Sequence, residues 1–177
     1  MQKAEFNLPK NTIAVLQSIN RLMALEEIQL TGDETPKAFN HICSTVLSAL
    51  NVPVAQITLL GEHEQAIKTS LGFDIEKAPT KTAFCAVTIA SDADILIIND
   101  TLKDPIFNNS PFVVEPPHVR FYVGCPIVYK GEKVGTLCAY DFKPRDELPQ
   151  EQIDFIRKLT TDVEEAIYGC VKAKVSA

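Results

Sequence analysis

Two apolar segments separated by a short polar link stand out in the hydrophobic pattern of the chain. One spans Phe121 to Tyr129 and the other Val134 to Phe142. Both are rich in aromatic and β-branched residues, which favour a pleated, half-buried surface. The link, Lys130-Gly131-Glu132-Lys133, is polar and contains a glycine. This combination predicts a β-hairpin.

The position of Pro126 constrains the register of this hairpin. A two-residue turn at Gly131-Glu132 would make residue 126 a hydrogen-bonded position, where proline has no N–H to donate. A four-residue loop, residues 130–133, avoids that conflict. Both loops place Cys125 opposite Cys138, whereas a three-residue loop would break the pairing.

This register makes a prediction about the two cysteines. Opposing Cβ atoms in a sheet lie about 4.5–5.5 Å apart, whereas a relaxed disulfide needs about 3.8 Å. We therefore expect Cys125 and Cys138 to be free, buried thiols on one face, together with Val123 and Tyr140. The sequence leaves open whether that face meets the helices or a pocket.

Three stretches have the spacing of amphipathic helices. The first runs from Pro9 to about Glu27, and Thr31-Gly32-Asp33 ends it; the second starts near Thr35-Pro36, and the third at Pro149. The expected apolar stripes are Val15, Leu16, Ile19, Leu22 and Met23; then Phe39, Ile42, Cys43, Val46, Leu47 and Leu50; and finally Ile153, Ile156, Leu159, Val163, Ile167, Cys170 and Val171.

Shorter elements lie between these helices. Val52–Leu60 and Gln65–Leu71 read as two strands joined by a tight turn, followed by a polar loop over Gly72–Thr82. Phe84–Ala90 fits a short helix. Ile95–Ile98 is an unbroken apolar run, which is typical of a strand buried on both faces.

An irregular segment, residues 99–119, precedes the hairpin. It contains four prolines and three asparagines. Loops of this length inside a compact domain are usually functional or mobile. Strands joined by short turns imply an antiparallel sheet, and long helices at both ends imply cover on one face. The predicted class is α+β.

Composition narrows the function classes. The 177 residues include 46 % hydrophobic and 23 % charged residues, which suits one globular domain. The net charge of −6 does not favour nucleic acid or an anionic membrane, and no apolar run approaches the ~20 residues of a membrane span. The first residues lack the apolar core of a signal peptide. Five scattered cysteines indicate reduced thiols and a cytoplasmic location, and no local motif supports a metal site.

Four segments together carry a family resemblance. They read FCAVTI (Phe84–Ile89), INDTLKDPIF (Ile98–Phe107), RFYVGCPI (Arg120–Ile127) and VGTLCAYD (Val134–Asp141). With their spacing and the final helix, they resemble the GAF family of small-molecule sensor domains over roughly residues 30 to 170. The resemblance is closest to the subgroup in bacterial histidine kinases and diguanylate cyclases.

The resemblance implies a central antiparallel sheet with helices on one face and a loop-covered ligand pocket on the other. On this basis residues 1–30 form an N-terminal helix and residues 31–177 the GAF-like domain, including the C-terminal helix. The signature of cyclic-nucleotide-binding members is not found. Bilin attachment is disfavoured because residues 99–119 contain no cysteine. Free methionine sulfoxide reductases of this fold use a cysteine set, of which Cys85 alone offers a match.

Several residues near the expected pocket carry candidate chemistry. Asp100 and Arg120 could contact a ligand, but an ion pair that holds the loop to the sheet is favoured. Asp104 is interpreted as a turn cap and Asp141 as a structural residue opposite Tyr122. The expected ligand-binding set is Phe84, Cys85, Asp100, Phe107, Phe112, His118, Arg120 and Tyr122, with no catalytic or metal-binding residue.

The leading hypothesis is a stand-alone, non-catalytic sensor or regulatory domain that binds a small molecule, or a protein partner, in signal transduction. Its cofactor is unknown. One alternative is a thiol-based redox enzyme of the methionine sulfoxide reductase type with Cys85 as nucleophile; another is a ligand-free adaptor or dimerisation module. A homodimer through the terminal helices is also expected, because their apolar stripes extend past the sheet.

Overall fold

A computed structural model describes residues 6–28 and 35–177 of the chain. Its centre is a six-stranded antiparallel sheet in the order β3-β2-β1-β6-β5-β4. The strands are β1 Val54–Leu60, β2 Glu64–Leu71, β3 Lys77–Pro79, β4 Leu96–Ile98, β5 Phe121–Tyr129 and β6 Glu132–Asp141. The helices are α1 Lys10–Leu16, α2 Ile19–Ile28, α3 Ala38–Leu50, α4 Phe84–Ala90, α5 Pro111–Val114 and α6 Gln150–Val175, with 3₁₀ turns at Thr80–Thr82 and Thr101–Lys103.

Each face of the sheet has its own apolar core. Helices α2, α3 and α6 cover one face, and we call the core beneath them the helix-side core. Helices α1 and α4 and the irregular segment cover the other face. Because both faces are covered, every residue of β1 is buried. The predicted α+β class is confirmed; on the face expected to hold a loop-covered pocket, helices α1 and α4 contribute to the cover as well.

The predicted first helix, residues 9–27, is in fact two helices. The chain breaks at Gln17-Ser18 because α1 packs against α4 on one face while α2 packs against β6 and α6 on the other. The break moves the apolar stripe: Leu16 is buried, but Ile19 and Met23 are exposed. The expected helix breaker at residues 31–33 lies outside the described residues.

The predicted hairpin exists, but its register is wrong by one residue. The strands are joined by a two-residue turn, Lys130-Gly131, and both turn residues have positive φ, 50° and 82°. A bulge at Ile127/Val128 then shifts the pairing. There the N–H of Val128 donates to the carboxylate of Glu164 on α6 at 2.7 Å, instead of to the neighbouring strand.

The observed register separates the two cysteines. Cys125 faces Leu137 and Cys138 faces Gly124, so the two thiols lie on opposite faces of the sheet. Cys125 belongs to the helix-side core and Cys138 to the other core. Pro126 is accommodated because it lies past the end of β4, which pairs only with residues 122–124. All five cysteines are free thiols, as expected for this pair.

Most other predicted elements are confirmed within a few residues. Helix α3 buries the predicted stripe, although Lys37 rather than Thr35 is its N-cap and no side chain caps it. The segment predicted as a loop, residues 72–82, contains the short edge strand β3 and a 3₁₀ turn. The irregular segment, residues 99–119, contains one helical turn, α5, and a cis bond between Pro116 and Pro117.

Candidate functional site

A cavity lies between the sheet and its cover of α4 and loops. It encloses about 480 Å³ of space between atoms, counting the part that opens to solvent, but the clear space in which the centre of a water molecule fits is only about 50 Å³. That clear space has room for only a few water molecules. The side chains around it come from β1 to β3, α4, the irregular segment and the hairpin: Gln56, Gln65, Ile67, Phe73, Ile75, Ala78, Ala83, Phe84, Cys85, Phe112, Pro117, Val119, Tyr122, Cys138 and Tyr140.

A row of stacked rings forms one wall. Phe84, the first residue of α4, stacks on Tyr122 of β5 with ring centroids 4.9 Å apart. Its other side stacks on Phe107 at 4.3 Å. The helix begins at this point because Ala83 has extended backbone, which turns the Phe84 ring toward the sheet. The aromatic row gives the cavity a flat, apolar wall.

Two glutamines supply the amide groups of the cavity. Gln56 Nε2 donates to Ser70 Oγ at 2.9 Å. Gln65 is only 6 % exposed, and its Oε1 accepts no hydrogen bond from any described residue. A buried carbonyl oxygen without a donor is destabilising by about 1–3 kcal/mol. No charged side chain of the described residues contributes to the lining.

Two thiols meet in the cavity wall. The Sγ atoms of Cys85, on α4, and Cys138, on β6, are 3.8 Å apart. The Tyr122 hydroxyl lies 3.6 Å from Cys85 Sγ and 2.8 Å from Thr88 Oγ1. The sequence did not predict this pair, because the expected register placed Cys138 beside Cys125 instead.

Four of the eight predicted ligand-binding residues line the cavity: Phe84, Cys85, Phe112 and Tyr122. The other four do not. Phe107 lies behind Phe84, and His118 is exposed on the irregular segment with Nδ1 3.2 Å from the Val113 carbonyl oxygen. Asp100 and Arg120 are also outside the lining.

The charged candidates have structural partners. The Arg120 guanidinium pairs with Asp100 at 3.0 Å, as the favoured interpretation had it. Burial alone would raise the pKa of Asp100, but hydrogen bonds from Arg120 and a backbone N–H lower it below its usual value. Asp104 caps a turn, accepting two backbone N–H groups at 2.9 and 3.1 Å. Asp141 pairs with Arg145 at 2.8 Å and lies opposite Phe121, so its expected place opposite Tyr122 is wrong.

Comparison with known proteins assigns the fold to a family. The family model described as GAF domain matches residues 34–167, most of the chain. The chain belongs to the GAF domain family.

A curated relative of this GAF domain is a cyclic di-GMP phosphodiesterase of Pseudomonas aeruginosa. The two are 30 % identical over 135 residues, which cover 76 % of this chain and 23 % of that protein. The chain therefore spans about a quarter of the length of its relative. This relationship supports a sensor or regulatory role, as the sequence predicted.

Solved structures show the same fold at low identity. The GAF domain of a Coxiella burnetii phosphoenolpyruvate-protein phosphotransferase has a TM-score of 0.65 and 14 % identity, covering 94 % of this chain and 98 % of that one. A free methionine-R-sulfoxide reductase from Neisseria meningitidis has a TM-score of 0.63 and 12 % identity, covering 98 % and 99 %. At such identities the likeness establishes the fold alone.

Two further observations concern the described part of the GAF domain. None of its helices is both long and apolar enough to cross a membrane. Among residues 6–28 and 35–177, no three or more His, Cys, Asp or Glu side chains are grouped in a way that could hold a metal ion.

Sequence reasoning missed the amide groups of the cavity. Gln56 lies in the predicted first strand, but the sequence does not show which face of that strand borders the cavity. Gln65 is the second residue of β2, and its environment depends on its pairing with β3, which is predicted as loop. The register error grouped Tyr140 with Val123 and Cys125, which lie on the opposite face of the sheet. The signal that could have found Gln56 is its polarity within the largely apolar strand β1; β2 is mixed in polarity and gives no such signal for Gln65.

Proposed function

We propose that this GAF domain is a sensor module in signal transduction that binds a neutral, planar small molecule in the cavity. The observation that carries the proposal is the buried, unpaired Oε1 of Gln65. An N–H or O–H group of a ligand would satisfy it, and that hydrogen bond would offset the cost of burying this oxygen without a protein donor.

The lining also indicates the class of ligand. Phe84 and Tyr122 offer aromatic surface, and no Lys, Arg, Asp or Glu faces the cavity. A phosphate group inside it would lose its water without gaining a partner of opposite charge. Neutral heterocycles such as purine bases match the lining better than nucleotides do. The proposed site therefore differs from one suited to a cyclic dinucleotide.

The cavity must widen to accept such a ligand. Small-molecule sites usually enclose about 300–1,000 Å³, far more than the clear space here. Phe73 and Phe112 form part of the wall, and both side chains are half-buried. Phe73 lies in the loop after β2, and Phe112 lies in the short helix α5. They can move outward without disturbing the central strands. Binding is then coupled to a displacement of the cover, which is what a sensor requires.

A melting experiment tests the proposal. The reduced protein is heated with purines, cyclic nucleotides or tetrapyrroles, and a purine is expected to raise the melting temperature in a concentration-dependent manner. Gln65→Leu keeps the approximate size of the side chain but removes the acceptor, so it should weaken binding about tenfold, equivalent to ~1.4 kcal/mol.

The matched control is Gln150→Leu, on the exposed first turn of α6, which should bind like the wild type. The proposal fails if no neutral heterocycle shifts the melting temperature. It fails equally if a heterocycle that does so binds the Gln65→Leu protein with unchanged affinity.

We also propose that two copies of the chain associate through α2 and α6. On α2, Ile19 and Met23 lie one turn apart and are 73 % and 60 % exposed. On α6, Tyr168 and Val175 are 45 % and 83 % exposed. The two helices pack against each other, so these apolar side chains belong to one side of the molecule. A second copy, or a signalling protein partner, would cover them.

The five free thiols suit a cytoplasmic location.

A further inference from the structure

Cys85 and Cys138 form an arrangement that the sensor proposal does not use. The two thiols come from different elements, α4 and β6, and their Sγ atoms are 3.8 Å apart. Both border the cavity, which opens to solvent. A small oxidant could therefore reach them, although both residues are buried.

The surroundings of Cys85 favour its thiolate. The pKa of Cys85 is lowered chiefly by its hydrogen bond with Cys138, and further by the hydroxyls of Thr136, Tyr122 and Thr58, against the opposing effect of burial. The pKa of Cys138 is raised because its proton is shared with Cys85 and because it is buried. One thiol of the pair is thus prepared as the nucleophile, and the other holds the proton.

The other buried thiols have no such environment. Burial raises the pKa of Cys43 to about 12 and that of Cys125 to about 11. Both lie in the helix-side core, away from the cavity. A thiol that stays protonated is a poor nucleophile. Chemistry at the sheet should therefore be confined to Cys85 and Cys138.

We propose that Cys85 and Cys138 are an oxidation site at which a peroxide converts two thiols into one reversible disulfide. The thiolate of Cys85, whose proton has gone to solvent, attacks an oxygen of hydrogen peroxide; the O–O bond breaks, the departing hydroxide takes up a proton and leaves as water, and Cys85 becomes a sulfenic acid. Cys138 then attacks that sulfur, the S–O bond breaks, and a second water leaves as the S–S bond forms. The two thiols lose two electrons and two protons, which the peroxide accepts.

The structure favours this second step over further oxidation. When Cys85 becomes a sulfenic acid, the thiol of Cys138 that must attack it is already in van der Waals contact. A dithiol reductant restores the pair by exchange, with its own two thiols oxidised in return. This proposal does not depend on a ligand, because it concerns only the two side chains and a peroxide.

Thiol counting on the 177-residue chain tests the proposal. Reduced protein is exposed to hydrogen peroxide and denatured, and its free thiols are alkylated. The mass of the intact chain is then measured by mass spectrometry. We expect two of its five thiols to be lost, leaving three, and a single disulfide-linked peptide that contains Cys85 and Cys138. Treatment with dithiothreitol should return all five.

Two substitutions sharpen the test. Cys138→Ala should abolish the disulfide and leave a sulfenic acid on Cys85 that dimedone traps. Cys125→Ala is the matched control, because Cys125 is equally buried in the neighbouring strand but faces the helix-side core. In this variant the disulfide between Cys85 and Cys138 should form as in the wild type. Circular dichroism checks that both variants fold.

The wild-type result decides the matter even if a variant fails to fold. Retention of all five thiols would overturn the proposal, as would a disulfide that involves Cys43, Cys125 or Cys170. Dimedone labelling on Cys138 instead of Cys85 in the wild type would overturn the assignment of roles.

Discussion

At the scale of single residues, Arg21 is the most unusual member of the core. It is only 1 % exposed and has no carboxylate partner among its hydrogen bonds. Its guanidinium donates instead to the carbonyl oxygens of Val15, Leu16 and Leu60. Two of these carbonyls end α1 and the third ends β1. Arg21 therefore fixes the crossing of the N-terminal segment from one face of the sheet to the other.

Replacing Arg21 should be costly. Arg21→Leu leaves three carbonyl oxygens without their donors, and we expect the free energy of unfolding to fall by about 3 kcal/mol. Urea denaturation measures this. The control is Arg157→Leu, which removes surface ion pairs to the 72 % exposed Asp94 and the 63 % exposed Asp154 and should change stability by under about 1 kcal/mol. Similar losses in the two variants would contradict the role given to Arg21.

The candidate site was only partly predictable residue by residue. Phe84, Cys85 and Tyr122 lie in segments whose apolar and aromatic pattern, with the family resemblance, pointed to the pocket. The lack of a hydrogen-bond donor at Gln65 could not be predicted from the sequence. It depends on which hydrogen-bonding groups remain unpaired when three different strands come together. The same is true of Cys138, whose face follows from the register.

At the scale of secondary structure elements, the hairpin turn shows how a short link sets a register. Lys130 and Gly131 both have positive φ, the combination that a two-residue turn needs to match the strand twist. Lys130 also contacts α2 through an ion pair with Glu27 at 2.5 Å, and its N–H donates to the Tyr168 hydroxyl at 2.8 Å. The helices thereby hold the tip of the hairpin.

This geometry predicts opposite effects at two glycines. Gly131→Ala forces an L-residue to φ of about +82° and should lower the free energy of unfolding by about 1 kcal/mol. Gly169→Ala, inside α6, adds a methyl group that meets nothing within 4 Å and should raise it by about 1 kcal/mol. Thermal and urea denaturation of both variants check this, and a destabilised Gly169→Ala would contradict it.

Helices and strands with a strong hydrophobic period could be predicted from the sequence, but the register in which the strands pair could not. The stripes of α3 and α6 and the apolar strands follow from spacing alone. The hairpin register failed for two reasons: the turn is Lys130-Gly131, one residue before the predicted Gly131-Glu132, and a bulge at Ile127/Val128 shifts the pairing again. At that bulge Val128 bonds to Glu164, which is 36 residues away in the sequence. The break between α1 and α2 could not be predicted from spacing either, because it is stabilised by long-range hydrogen bonds of the buried Arg21.

At the scale of the whole molecule, the two terminal helices determine which surface is left for association. Helix α6 is 26 residues long, yet its buried residues end at Ile167. The partly buried Cys170 and Val171 still pack against the helix-side core, and beyond them residues 172–175 are exposed. Apolar side chains in this position lose water contact only when another molecule covers them, which is the basis of the proposed dimer.

A charge on this surface should separate the dimer. Met23→Glu places a carboxylate in the proposed interface, and sedimentation should show a monomer at concentrations at which the wild type is a dimer. Ile13→Glu is the matched control, because Ile13 is 45 % exposed on α1, on the opposite face of the sheet, and should leave the dimer intact. A wild-type protein that is monomeric at high micromolar concentration would refute the interface.

The alternation of side chains along β5 has one more consequence. Tyr122 borders the cavity, and Val123, the next residue, belongs to the helix-side core on which α6 packs. A shift of the backbone at this point moves both side chains together, because they are attached to consecutive Cα atoms on opposite faces. Allosteric coupling between the cavity and α6 can therefore pass through a single peptide unit, without a relay of side chains around the sheet.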